Sequence, residues 1–346
     1  MYATTKPACI NTSPIRAIIA PGTQPTVSTR NTKRVIEALE KLEFFVVIDV
    51  MENASMPWAD VVVPVATMYE CDHPFEASSN WIMARNRVIE PMGDYKSDYE
   101  FWLDLAVKMG YGEYFWNGSI EECMNYQLEN FGMTMEELRA YPTGIVYESE
   151  PMVYEKYEKI FATCSTRLSG APYLPQGKVA IYNTTFEENG FNPLPEWVES
   201  PESPTGTPEL LEKYPLVFFD THTSDVYTHG WLRNLPYLRE LHPELWIHIH
   251  PETARAREIE DGDWVIVESP HGWIQVRALY VTEIRPDAIM SLHGWWQSCD
   301  ELGLKGYPLL DGGANVNIMY STDPHKAFDP MVTAMPKQTL VEVRKA

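Results

Sequence analysis

Thr221, His222, Thr223 and Ser224, followed by His229 and Gly230, gather hydroxyls, imidazoles and a small backbone position into one short stretch. A second polar cluster, residues 312–317, carries Gly312, Gly313, Asn315 and Asn317. Between them lie Gly262 and Asp263 leading into an apolar stretch, then His271 and Gly272, then alternating residues 273–281. Hydroxyls, amides and imidazoles donate and accept hydrogen bonds without a fixed charge, so two such loops at one barrel mouth suit a large, polar, phosphate-bearing ligand.

Other candidates sit near the N-terminus. Residues 21–25 (Pro, Gly, Thr, Gln, Pro) close an apolar run, a position where open α/β sheets bind ligands in the loop crevice. Gly22 permits close backbone approach, and the Gln24 amide suits a phosphate, ribose or pterin edge; an ordinary strand-to-helix turn explains the same residues. Asp49 ends the next apolar run, where a carboxylate either accepts from a ribose or base or serves a turn. Asp98 either caps the helix that follows or holds a guanine through two N–H donors.

Several chemistries are missing. His248 and His250 would share one face of a strand, as some metal sites require, but no third ligand has a convincing spacing. Cys9, Cys71, Cys123, Cys164 and Cys299 form no C-x-x-C pair, so local spacing assembles neither a zinc site nor an iron–sulfur cluster. The sequence holds no G-x-S-x-G, H-E-x-x-H, Walker or G-x-G-x-x-G pattern.

The elements that must position these residues follow from periodicity. Apolar residues 15–20, helical spacing over 32–42 and the apolar run 44–49 predict a βαβ unit with a buried parallel sheet, and 61–64 a further strand. Residues 98–110 predict an amphipathic helix stopped by glycine, 119–131 and 134–140 further helices, and 178–182 a strand. Five prolines in 192–208 predict a stiff linker. Strands over 215–220, 245–249, 263–268, 273–282 and 288–292 predict an antiparallel or mixed barrel.

With 346 residues the chain is long enough for two or three domains, and 45% hydrophobic against 22% charged residues is ordinary globular composition. A formal charge of −22 repels nucleic acid and anionic membrane surfaces, and no stretch approaches a membrane span. The expected division is 1–75 Rossmann-like, 76–205 irregular and helical with the linker, and 206–346 the barrel.

Taken in order, residues 22–25, 46–49, 58–64 with Glu70, 91–98, 250–263, 315–317 and Lys337–Gln338 resemble the C-terminal half of the molybdopterin oxidoreductases, the dimethyl sulfoxide reductase superfamily. The resemblance implies a Rossmann-like sheet, a helical middle and a double-psi β-barrel holding a bis-(molybdopterin guanine dinucleotide) cofactor with molybdenum or tungsten. It assigns Gly22, Gln24, Asp49, Cys71 and Asp98 to one dinucleotide. It assigns Thr221, His222, Thr223, His229, Gly230, Asn315, Asn317, Lys337 and Gln338 to the barrel's share.

Two departures stand out. The family has asparagine where Gln24 stands, and glycine and arginine where His222 and Thr223 stand, so a guanidinium that could face phosphate is lost. The metal-ligating residue and the [4Fe-4S] cysteines belong to an N-terminal half outside this sequence. The resemblance therefore implies a chain completed by that half or a catalytic partner, with an iron–sulfur electron-transfer subunit. Residues 293–296 (His, Gly, Trp, Trp) point to the polysulfide and thiosulfate reductase-like branch, which also resembles dehydroxylases and hydratases. The alternatives are a non-catalytic carrier of the cofactor and an inactive remnant.

Overall fold

The apolar run near the N-terminus becomes β1 (Ala17–Pro21), and Gly22 turns the chain at a φ of +55°, a backbone region that glycine enters at little cost. Two helices follow, α1 (Pro25–Ser28) and α2 (Thr32–Leu39), then β2 (Phe44–Asp49) and β3 (Val61–Pro64). The three strands form one sheet in the order β1-β2-β3. Bonds from Asp60 N to Phe45 O and from Val65 N to Asp49 O advance in step along β2 and β3, as parallel neighbours require. Ala20, Leu39, Phe45 and Val47 pack together, so α2 covers the sheet with the face its 3.6-residue period predicts.

This computed structural model describes residues 15–78, 81–146, 181–188, 190–194, 196–197, 199–221, 225–321 and 338–346. The chain divides into two compact units, Met1–Val47 with Met51–Val62 and Thr184–Ala346, and Ile48–Val50 with Val63–Asn183.

The second unit holds the antiparallel strands β4 (Glu76–Ser78), β5 (Trp81–Met83) and β6 (Ile145–Val146). Its helices are α3 (Asp98–Lys108), α4 (Ile120–Leu128) and α5 (Met135–Arg139). Ile82, Leu103, Met124, Leu128, Met135 and Leu138 form its core. Helix α3 ends where Gly110 takes a φ of +86°, the glycine stop that the sequence predicts. Its N-cap is Ser97, not Asp98: Ser97 Oγ accepts from Glu100 N at 3.2 Å, and Glu100 Oε2 accepts from Ser97 N at 2.8 Å.

In the first unit the C-terminal strands close into a barrel: β7 (Leu216–Thr221), β8 (Trp246–Ile249), β9 (Trp264–Glu268), β10 (Trp273–Tyr280), β11 (Ala288–Leu292) and β12 (Gln338–Lys345). Their order is β10-β8-β11-β7-β12-β9, with β10–β8 and β11–β7 parallel and the other pairs antiparallel. Strict alternation along β9 and β10 sends Val265, Val267, Ile274, Val276 and Ala278 inward, where they are fully buried. Each of the buried valines and isoleucine stabilises the barrel by roughly 1.5–3 kcal/mol, and Ala278 by less.

Five of the six strands fall where periodicity places them. The sixth, β12, closes the barrel and lay outside the expected set. The strand expected over 178–182 lies mostly outside the described residues, and Ile181 and Tyr182 are not in a strand. The proline-rich stretch is more than a spacer. Glu202 within it is buried, accepts from Thr339 Oγ1 at 2.7 Å and lies 2.8 Å from His271 Nε2, which ties it to the barrel.

Candidate functional site

The loop after β1 is held from behind. Asn53 Nδ2 donates to Thr23 O at 2.8 Å, Thr26 N donates to Ser55 Oγ at 3.3 Å, and the Gln24 carbonyl accepts from Val27 N and Ser28 N. Gln24 is only 3% exposed. Its Oε1 accepts from Ala54 N at 3.4 Å, whereas its Nε2 is buried and has no hydrogen-bond partner. Leaving an amide donor unsatisfied costs roughly 1–3 kcal/mol.

Opposite stand His229, Gly230, Trp231 and His293, and a cavity of about 270 Å³ separates them from Gly22, Thr23, Gln24 and Ser28. Two glycines stand at close approaches, Gly294 with no room for a side chain and Gly230 with room only if its neighbours give slightly. A Cβ on Gly230 would lie 3.0 Å from Gln24 Oε1, and one on Gly294 would lie 2.3 Å from the His229 carbonyl.

The imidazoles are oriented by a chain of partners. His293 Nδ1 lies 3.2 Å from the Thr221 carbonyl, which can only accept, so Nδ1 carries the hydrogen. In the neutral ring, Nε2 then accepts from His229 Nδ1 at 3.1 Å. Asp220 Oδ2 is 3.9 Å from His293 Nδ1 and takes a 2.6 Å bond at Oδ1 from the Tyr320 hydroxyl. Burial, with Asp220 beside it, pushes the Tyr320 hydroxyl well above its ordinary pKa, so it stays a donor. Arg30 lies 4.7 Å over the Tyr320 ring, and desolvation lowers its pKa.

Asn315 and Asn317 lock the two loops together. Asn315 Nδ2 lies within 3.0 Å of Thr26 O, 2.9 Å of Thr32 Oγ1 and 3.2 Å of Leu309 O, and its Oδ1 accepts from Asn317 N. Asn317 Nδ2 donates to Val27 O at 2.6 Å, and its carbonyl accepts from Asn31 N at 2.7 Å. Both side chains thus donate to the Gln24–Thr32 segment. An ion pair from Lys33 to Asp311, at 2.7 Å, reinforces the joint.

The structure therefore brings Gly22, Gln24, His229 and Gly230 to one cavity, with Thr221 behind His293 and the two asparagines behind α1. Gln338 opens β12, and its Nε2 lies 3.4 Å from the Glu202 carbonyl. His222, Thr223 and Lys337 lie outside the described residues. Asp49, Cys71 and Asp98 belong to the second unit. Asp49 is buried and accepts from Val50 N at 2.8 Å; Asp98 is exposed at the start of α3. The Cys71 thiol is raised by burial first, then by Glu100 and Glu70, so it stays protonated.

His248 pairs within β8, where burial lowers its pKa, while His250 caps the helix Pro251–Arg255 by accepting from Glu252 N at 3.2 Å. Among the described residues no group of three metal-ligating side chains exists.

His293, Trp231 and Ser28 were absent from the expected set. His293 comes to the site because β11 runs parallel to β7, with Leu292 paired to Thr221. That register is a long-range pairing with no local signal.

Two family profiles match this sequence: molybdopterin oxidoreductase over residues 3–108 and molydopterin dinucleotide binding domain over residues 217–332. Acetylene hydratase of Syntrophotalea acetylenica is 27% identical, over 82% of this chain and 37% of its own length. The thiosulfate reductase molybdopterin-containing subunit of Salmonella typhimurium is 26% identical, over 82% and 38%. Dopamine dehydroxylase of Eggerthella lenta is 26% identical, over 86% and 36%. Among solved structures, acetylene hydratase from Pelobacter acetylenicus superposes with a TM-score of 0.79 at 24% identity, covering 98% of this chain and 45% of that one. This chain spans well under half the length of these relatives.

Proposed function

We propose that this chain, a member of the molybdopterin oxidoreductase family with a molybdopterin dinucleotide-binding domain, is the C-terminal cofactor-binding portion of a molybdenum or tungsten enzyme. The cofactor is a bis-(molybdopterin guanine dinucleotide). In this reading β1–β3 with α2 are the Rossmann-like part, and the closed barrel, with its two parallel pairs, is of the double-psi type.

One observation carries the reading. Gln24 holds a buried amide donor with no partner at a cavity whose far wall is Gly230, a position where a Cβ would fill the space. A polar heterocycle or phosphate oxygen supplies the missing acceptor, so the residues present fit such a group.

When bound, the cofactor supplies two-electron or oxygen-atom chemistry at its metal. The chain's own residues bind and orient. Gln24 donates from the loop after β1, the His229–Trp231 backbone forms the opposite wall, and His293 fixes the His229 ring through Thr221 and Asp220. The asparagine joint holds both walls in register, which is the preorganisation a bound group requires. A further portion of the enzyme or a partner chain supplies the metal-ligating residue and the [4Fe-4S] cluster. The reaction is of the polysulfide or thiosulfate reductase type or the dehydroxylase type.

Purifying the chain with and without a candidate N-terminal half, and measuring molybdenum, tungsten and guanine nucleotide, tests this. Metal and turnover only with the partner support it. Guanine nucleotide held by the lone chain, with no turnover when the partner is added, indicates a carrier instead. Absence of guanine nucleotide from both preparations contradicts the reading.

A further inference from the structure

Behind the His229–Trp231 wall lies a buried positive charge that no carboxylate pairs among the described residues. Arg233 is 2% exposed, and its guanidinium donates from Nη1 to the carbonyls of His229 and Trp231 and from Nη2 to that of His293. All three of those residues line the cavity. Its plane stacks 4.6 Å from the Tyr227 ring centre and 4.9 Å from that of Trp295. Its Nε is buried without a partner.

A second guanidinium, Arg239, is fully buried just beyond. It donates to the carbonyls of Arg233, Gln297 and Pro243 and lies 4.9 Å from the Trp295 ring centre. Among the described residues neither arginine has a carboxylate within ion-pair distance. Desolvation, opposed by Tyr227 and aided less strongly by the neighbouring Arg239, pushes Arg233 down to about 9.

Proteins bury charges with partners, because an uncompensated one is expensive in a low-dielectric interior. Carbonyl dipoles and aromatic faces solvate Arg233 here, but they leave its net charge unmatched. The field of that charge reaches the cavity through the single layer of backbone to which it is bonded.

We propose that Arg233 is the specificity-determining charge of this cavity, selecting a ligand that brings a phosphate ester to the His229–Trp231 wall. This rests on the reading of the cavity as a nucleotide-cofactor site. Arg233 acts through the backbone and the field rather than by touching the ligand, so it is a positioning residue.

The test is titration of the full chain with guanosine and with GDP, in wild type, Arg233→Lys and Arg233→Met. The wild type should prefer GDP by on the order of tenfold or more. Arg233→Met takes the donor from three wall carbonyls, so affinity for both ligands falls, but most of the preference for GDP over guanosine should be lost as well. Arg233→Lys keeps the charge without the planar fork and should retain the preference. An unchanged GDP-to-guanosine ratio in Arg233→Met overturns the proposal. Should that variant not fold, loss of the preference in a folded Arg233→Lys overturns it. If the wild type binds guanosine and GDP equally, the charge assignment fails while the nucleotide reading stands. If it binds neither, the nucleotide reading fails and this inference with it.

Discussion

Gly230 and Gln24 meet so closely that a single added carbon on Gly230 would stand 3.0 Å from Gln24 Oε1 and 3.0 Å from Val27 Cγ2. The barrel loop and the loop after β1 therefore share one wall, and the size of residue 230 sets where the Gln24 amide sits.

Gly230→Val should push that amide out of place. Overpacking of this kind costs roughly 1–3 kcal/mol. GDP affinity, measured by titration calorimetry, should fall by about tenfold or more, and an affinity equal to wild type would mean that the two loops do not share a ligand.

Removal of the Asn315 amide leaves the Thr26 and Leu309 carbonyls short of a donor. Asn315→Ala should cost about 1–3 kcal/mol, read as a lower urea midpoint at unchanged slope. Asn315→Asp should cost more, because a carboxylate would face two carbonyl oxygens. Amide exchange over 23–32 should quicken in both variants.

Much of this site was legible in the sequence because its parts are local. Gly22 and Gln24 follow an apolar run, and His229–Gly230 follows a polar cluster, so position along the chain flagged them. What stayed hidden depends on pairing across the barrel. His293 reaches the cavity through the parallel register of β11 on β7, and only the fold gathers three cavity carbonyls around the Arg233 guanidinium. β12 went unnoticed although Leu340, Val341 and Val343 are buried, since its polar flank matches no turn-bounded apolar run. Asp98 illustrates the reverse: the helix begins at the expected residue, but its cap is Ser97, because Ser97 and Glu100 complete a capping box that leaves Asp98 in the first turn.

A pH dependence follows from His242, which desolvation and then Arg233 and Arg239 hold down to about 4. The unfolded ring titrates near 6.5, so the folded state resists protonation. Stability from this group is fully present above about pH 6.5 and is lost as pH falls from there toward 4. Its side chain is partly solvated, so the effect is discounted to about 1–2 kcal/mol. His242→Gln should flatten the denaturation midpoint across that window; an unchanged pH profile would contradict the assignment.

Glu202→Ala should release the proline-rich stretch from the barrel. Thr339 Oγ1 and His271 Nε2 each lose a partner, at a cost of roughly 1–3 kcal/mol. Limited proteolysis should then cut within 199–207 faster than in the wild type, whereas equal cleavage rates would show that the stretch is held by other contacts.

The most direct measurement pairs ligand affinity with stability in Gln24→Leu. The substitution keeps much of the side-chain volume while deleting the buried donor that has no partner. Without ligand, the loss of Oε1 as acceptor for Ala54 N offsets the removal of the unpaired donor, so stability from urea denaturation should stay within about 1 kcal/mol of wild type, while GDP affinity should fall at least about tenfold. A variant that binds GDP as tightly as the wild type would show that the Gln24 amide is not waiting for a ligand.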